Sequence, residues 1–264
     1  MDDSVKAYAY TLVATLAAIS VSVALLRTLY PFGSISLLSL LPLFALIILG
    51  SYHVIVYRRR AVLNSIFTPN TSLRKFLKGR FSALAQSFVV AVIGLFFIAY
   101  KGLVAAPWEL VLALASIATC SVVFSFMKSR LQTHIEPQYL YSVAANTTSI
   151  VVGTLFFFLY MYSMWSFEKF PSYYQNENLA MSLSMAMADL KQSSGYLAQI
   201  IEIVFAIDVI KSYAIIRSSN LLPIAPIVFV VYGAIFGFLQ VKVIVSVITA
   251  ITIFSGVTHT VRKE

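Results

Sequence analysis

A single cysteine, Cys120, in 264 residues excludes an internal disulfide, and its place inside an apolar run says nothing about redox compartment. Charge is scarce as well. Only 11% of the residues are Asp, Glu, Lys or Arg, where soluble domains carry about 25%, so a water-soluble globule would lack polar surface. The three histidines, His53, His134 and His259, stand far apart, and no His/Cys/Asp/Glu set has metal-ligand spacing. No Walker loop, GxGxxG or GxSxG occurs, which removes the usual hardware for ATP hydrolysis, dinucleotide binding and serine-esterase chemistry. The chain is therefore expected to be no enzyme and to need no metal or cofactor.

What the chain does have is apolar length. Hydrophobic residues make up 60% of it, and the mean hydropathy is +0.88. A bilayer core of about 30 Å is crossed by roughly 20 apolar residues, and several such runs are present. Within lipid the backbone must pair internally, which leaves helices or closed barrels. The runs are continuous rather than alternating, so the expected fold is an all-α integral membrane protein, a polytopic helical bundle in one domain, residues 1–264.

The net charge of +9 is concentrated: Arg58, Arg59, Arg60, Arg74, Lys75, Lys78 and Arg80 lie in residues 58–80, a stretch with no acid. Basic loops stay cytoplasmic. This one is expected to rest on anionic headgroups, each basic residue contributing about 1 kcal/mol, or to dock a partner. No nucleic acid is expected as a direct ligand, since orientation and headgroups account for the charge.

Reading outward from that loop, spans are expected at about Ala7–Leu26, Ile35–Tyr57, Phe81–Tyr100, Pro107–Met127, Val143–Trp165 and Gly195–Ile216. The last apolar stretch is too long for one span. Breaking it at Gln240-Val241-Lys242 yields Leu221–Leu239 and Val243–Gly256, eight spans in all, with both termini cytoplasmic and seven as the alternative. Lys242 then falls at an outer turn, without the counter-ion a Schiff base would want. Residues 166–194 form the sizeable outer segment. It opens with an aromatic belt (Phe167, Phe170, Pro171, Tyr173, Tyr174) and continues into an amphipathic helix carrying Leu179, Leu183, Ala186 and Leu190 on one face. The N-terminus MDDSVK has no signal-peptide character. With the low cysteine count and no transit peptide, this suits a prokaryotic cytoplasmic (inner) membrane.

Two kinds of candidate residue remain. Small-residue ridges at Ala145, Ser149 and Gly153, and at Gly233 and Gly237, predict close helix packing. The sixth span carries Gln199, Glu202, Asp208 and Lys211. An ionisable group at mid-depth costs about 2.5–3.5 kcal/mol, so such groups face protein or water and are read as functional. Asp208 and Lys211 share a face and can neutralise each other. The expected function is a small transporter or channel moving an ion, proton or small polar solute, the sixth helix lining the path. The alternative is a non-enzymatic transmembrane subunit of a larger complex for secretion, DNA uptake or defence. A lipid-modifying enzyme would need convergent acid–base groups that the chain lacks. Expected partners are the lipid bilayer, its anionic headgroups, and further copies or other membrane subunits.

Overall fold

The computed structural model describes residues 3–66, 80–167, 178–189, 196–217 and 224–261. These form α1 (Asp3–Leu29), a 3-10 segment (Tyr30–Leu40), α2 (Leu41–Ile66), α3 (Arg80–Val104), α4 (Pro107–Leu131), α5 (Pro137–Phe167), α6 (Leu179–Asp189), α7 (Tyr196–Arg217) and α8 (Ile224–Val261). Arg74, Lys75, Lys78 and the aromatic belt from Phe170 to Tyr174 lie outside the described residues. Five segments are long and apolar enough to cross a membrane: Tyr8–Ser65, Arg80–Val104, Pro107–Leu131, Pro137–Met164 and Gly233–Ser255. The protein is thus an all-helical membrane protein.

The first of those segments contains two helices. Gly33, at φ 68°, bends the 3-10 segment between α1 and α2, a backbone state that costs a residue without Cβ little. Ser36 and Ser39 donate to the carbonyls of Gly33 and Ser36 at 2.7 and 2.6 Å, which satisfies their hydroxyls locally.

The bundle is organised around α8, which packs against α1, α2, α3, α4, α5 and α7. In its most apolar window 72% of residues are buried, against 22% to 39% in the other four segments. All ten residues from Val243 to Thr252 are buried. A helix that is apolar on every side suits either a protein core or lipid; here the surrounding helices cover it. Its hydroxyls are absorbed by its own backbone: Ser246, Thr249 and Thr252 donate to the carbonyls of Lys242, Val245 and Ile248.

Close approach depends on missing side chains. A Cβ on Gly50 would stand 1.8 Å from the Ser246 carbonyl oxygen, and one on Gly237 would stand 2.9 Å from the Phe157 backbone. Where α2 and α8 touch, the Ser51 and Ser246 hydroxyls share a hydrogen bond of 2.9 Å. Gly153 on α5 makes room for the Phe238 ring of α8, and Gly233 for Met161. Ala145 is buried in the same α5–α8 core, while Ser149 bonds back to the Ala145 carbonyl.

The last apolar stretch does not break at Gln240-Val241-Lys242: α8 runs through it as one 38-residue helix. The helix satisfies its own backbone there, and only the side chains need partners. Gln240 finds them inside the bundle. Lys242, expected at an outer turn, is half-buried between the fully buried Val241 and Val243.

The two ends of the bundle differ. Arg59 donates to Ser82 near the start of α3, and Asn64 to Tyr139 near the start of α5. The opposite ends of α3 and α5 meet α8 near Phe236 and Gly233. The end holding Arg58, Arg59 and Arg60 is called the basic end below. Helix α7 lies away from it: Leu197 and Ile201 pack on Leu26, Tyr30, Leu40, Ala99 and Tyr100. Its second half meets α6, where Val209 contacts Ala186.

Candidate functional site

At the end opposite the arginines, α3 turns into α4 through Ala105 and Ala106, and Pro107 opens α4 where its missing N–H costs nothing. Glu109, in the first turn, reaches back to accept from the Ala106 N–H at 3.0 Å. Its other carboxylate oxygen holds the Lys101 ammonium in an ion pair. The two side chains are only 15% and 10% exposed. At that burial a lone charge would be costly, and pairing offsets part of that cost. The ammonium also lies over the Phe236 ring, 4.6 Å from its centroid.

Arg27, in the last turn of α1, donates through Nε to the Gly102 carbonyl at 2.6 Å. That carbonyl belongs to the last turn of α3, where a helix has no N–H of its own to offer and a cation complements the dipole. Among the described residues this is Arg27's single hydrogen-bond partner, and the residue is exposed. Its terminal nitrogens are therefore available at the surface.

Between these groups lies a cavity of about 370 Å³, walled by α1, α3, α4, α5 and α8. Its walls are mostly apolar, with Phe97, Ile117 and Ile244 among them. Arg27, Lys101 and Glu109 line one part of it. Tyr160 and Gln240 supply the polar groups from the buried side. These belong to a relay across three helices. Tyr160 O–H donates to Gln240 Oε1 at 2.5 Å, Gln240 Nε2 donates to Ser116 Oγ at 2.7 Å, and Ser116 donates to the Ala113 carbonyl at 2.7 Å. Trp108 stands edge-on to Tyr160, ring centroids 6.2 Å apart. Among the described residues the arrangement offers one cation without a carboxylate partner, one ion pair, a buried amide and an apolar body. A cavity of this size falls within the roughly 300–1,000 Å³ usual for small-molecule sites.

The candidate residues of the sixth span lie elsewhere. Gln199 is exposed on α7, and Glu202 and Asp208 are half-buried there; none of them lines this cavity. Lys211 is placed on α7, but its side chain, and so any pairing with Asp208, lies outside the described ones. Of the basic residues, Arg58 and Arg80 are exposed, Arg59 bonds Ser82, and Arg60 stacks on Tyr57 at 5.1 Å. Among the described residues no group of His, Cys, Asp and Glu could hold a metal ion.

Arg27, Lys101, Glu109, Tyr160 and Gln240 are not singled out by sequence reasoning, which takes Arg27 and Lys101 for turn residues and Gln240 for a break. The usable signal was Pro107 followed by Glu109, an acid placed to cap the helix that Pro opens, eight residues after Lys101. No protein-family profile matches the chain, and no curated protein or solved structure does either.

Proposed function

We propose that this chain is a small membrane transport protein whose solute site is the cavity at the end opposite the arginines, in place of a path along α7. One observation carries the reading: Lys101, Glu109, Tyr160 and Gln240 converge from four helices on one cavity within an apolar bundle. Polar and ionisable groups are expensive there and are kept where they handle something.

The topology that goes with this reading has six crossings, α1 to α5 and α8, in place of the eight expected. The basic end is cytoplasmic, and both termini share that side. Support comes from chain reach. Phe236 is level with Lys101, and Ile224 stands twelve residues earlier, about 18 Å farther out. Helix α7 starts level with Tyr100 and is about 33 Å long, so running it inward would leave about 50 Å to recover. The seven steps from Arg217 to Ile224 span at most about 25 Å. Helices α6 and α7 therefore belong to the outer side.

The test is electrical. The protein is reconstituted in liposomes on a solid-supported membrane and challenged with a panel of small organic anions and cations. The expected result is a solute-dependent current that falls at least about tenfold in Glu109→Gln and Gln240→Leu, and persists in Glu202→Gln and Asp208→Asn. Abolition by the α7 variants alone would return the path to α7; indifference to all four would end the transport reading.

A second reading, a transmembrane subunit of a larger complex, is favoured by the outward face of α7. Gln199, Ile203, Ile207 and Ile210 are all exposed at helical spacing, and Gln199 has no hydrogen-bond partner among the described residues. Native mass in mild detergent separates the two: stoichiometric foreign subunits favour the complex, and one chain or a symmetric oligomer favours the transporter.

A further inference from the structure

The cavity is open on one side, and that side fixes what can enter it. Ser20, Ala24 and Arg27 of α1 and Leu110 and Leu114 of α4 line the cavity and are also exposed. The exposed apolar residues Val21, Leu25 and Val111 flank them. An opening bordered by such a surface faces lipid chains along most of its height, with Arg27 at its upper rim. The back wall, from Ile98, Ile117, Val243 and Ile244, is aliphatic.

Charge sets the head group. Lys101 and Glu109 pair with each other, which among the described residues leaves the Arg27 guanidinium as the surplus charge at the mouth. Its Nε is held by the Gly102 carbonyl, so the fork of terminal nitrogens is pre-oriented and can clamp two oxygens of one anion. A small hydrophilic anion would satisfy the fork but leave the aliphatic cavity unused. A neutral chain would fill the cavity and ignore the fork. A cation would be repelled.

We infer that the cavity takes a single-chain anionic amphiphile from the bilayer, its carboxylate or phosphate head on Arg27 and its chain entering sideways between α1 and α4. This rests on the reading of the cavity as the solute site and narrows the solute class. The aliphatic wall of Ile117, Val243 and Ile244 then receives the chain, and the lateral gap makes the outer leaflet the source.

Trp108 provides the reporter, because Trp165→Phe leaves it as the single tryptophan beside the cavity wall residue Tyr160. The full chain is placed in nanodiscs of neutral lipid and titrated with ω-bromododecanoate, whose bromine quenches indole fluorescence on approach. Saturable quenching is expected. The uncharged ω-bromododecanol and the Arg27→Gln variant should each weaken it at least about tenfold, the range of a charge-assisted hydrogen-bond pair. Arg27→Lys should recover part of the affinity. Ala24→Phe, which narrows the gap without touching the charge, should abolish quenching, and excess acetate should not displace the probe. The acid–alcohol comparison and Ala24→Phe carry the test if Arg27→Gln does not fold. Displacement by acetate, or equal binding of acid and alcohol, overturns the inference while leaving a transporter of another solute class in place. Absent quenching overturns it too. In that case, a current still sensitive to Glu109→Gln preserves the broader reading, and a current insensitive to the cavity variants ends both.

Discussion

Gln240 sits in the middle of a 38-residue apolar helix because two other helices supply its partners, Tyr160 from α5 and Ser116 from α4. Removing it strands the buried Tyr160 hydroxyl without its acceptor. Hydrogen bonds between membrane helices average about 0.6 kcal/mol and reach about 1.7, so Gln240→Leu should cost about 1–2 kcal/mol. Adding Tyr160→Phe should cost less than the two single changes combined, because the orphaned group is then gone. Unfolding of the purified variants in mixed micelles measures both. The ion pair behaves more severely. Glu109→Gln removes the carboxylate that pairs with the half-buried Lys101 ammonium and should lose about 3–5 kcal/mol, whereas Lys101→Met with Glu109→Met should recover most of that. The same micelle series decides it; equal losses in the single and double variants would mean that the pair contributes nothing beyond its packing.

At the scale of helices, glycine placement determines how near α8 can come to its neighbours. Gly50→Ala drives a Cβ into the Ser246 carbonyl oxygen, so α2 and α8 must separate by more than an ångström and the Ser51–Ser246 bond breaks. Overpacking costs about 1–3 kcal/mol and sometimes more; here the upper end is expected. Because the obstructing atom is backbone, Ser246→Gly should give no rescue. Monodispersity on size exclusion and the unfolding midpoint are the readouts. This geometry is only half legible in the sequence. Gly233 and Gly237 announce themselves by spacing, as does the Ala145–Ser149–Gly153 ridge. Gly50 and Gly94 stand alone in apolar runs, and no spacing rule shows that Ser246 and Val243 lie against them.

For the whole molecule, the arrangement of crossings is open to chemical labelling, because the lone Cys120 is fully buried and gives a clean background. With six crossings, Ser65→Cys reacts from one side of sealed vesicles, and Ala105→Cys and Ala180→Cys from the other. Arg217→Cys is the decisive position: six crossings put it with Ala105, eight put it with Ser65. Lys242→Cys should react slowly from both sides, since α8 keeps this position inside the helix rather than at a turn. Rapid labelling of Lys242→Cys from the Ala105 side would restore the broken helix and the eight-span count.

Composition alone determined that this is a helical membrane protein. Too little charge to wet a globule and apolar runs of bilayer length leave a backbone that must pair within itself, and that requirement is local. The basic stretch around Arg58–Arg60 likewise marked one end of the bundle without reference to any contact. Which helix is central, and where the polar groups converge, is a matter of rotation and register between helices far apart in sequence. Glu202 and Asp208 stand out in the chain because their neighbours are apolar, yet they lie on a peripheral helix. Lys101 and Gln240 look like turn residues one by one and Glu109 and Tyr160 like ordinary span residues, and they line one cavity only when α3, α4, α5 and α8 bring them together. Side-chain polarity is written residue by residue, but the space those side chains enclose is set by packing, which only the tertiary structure decides.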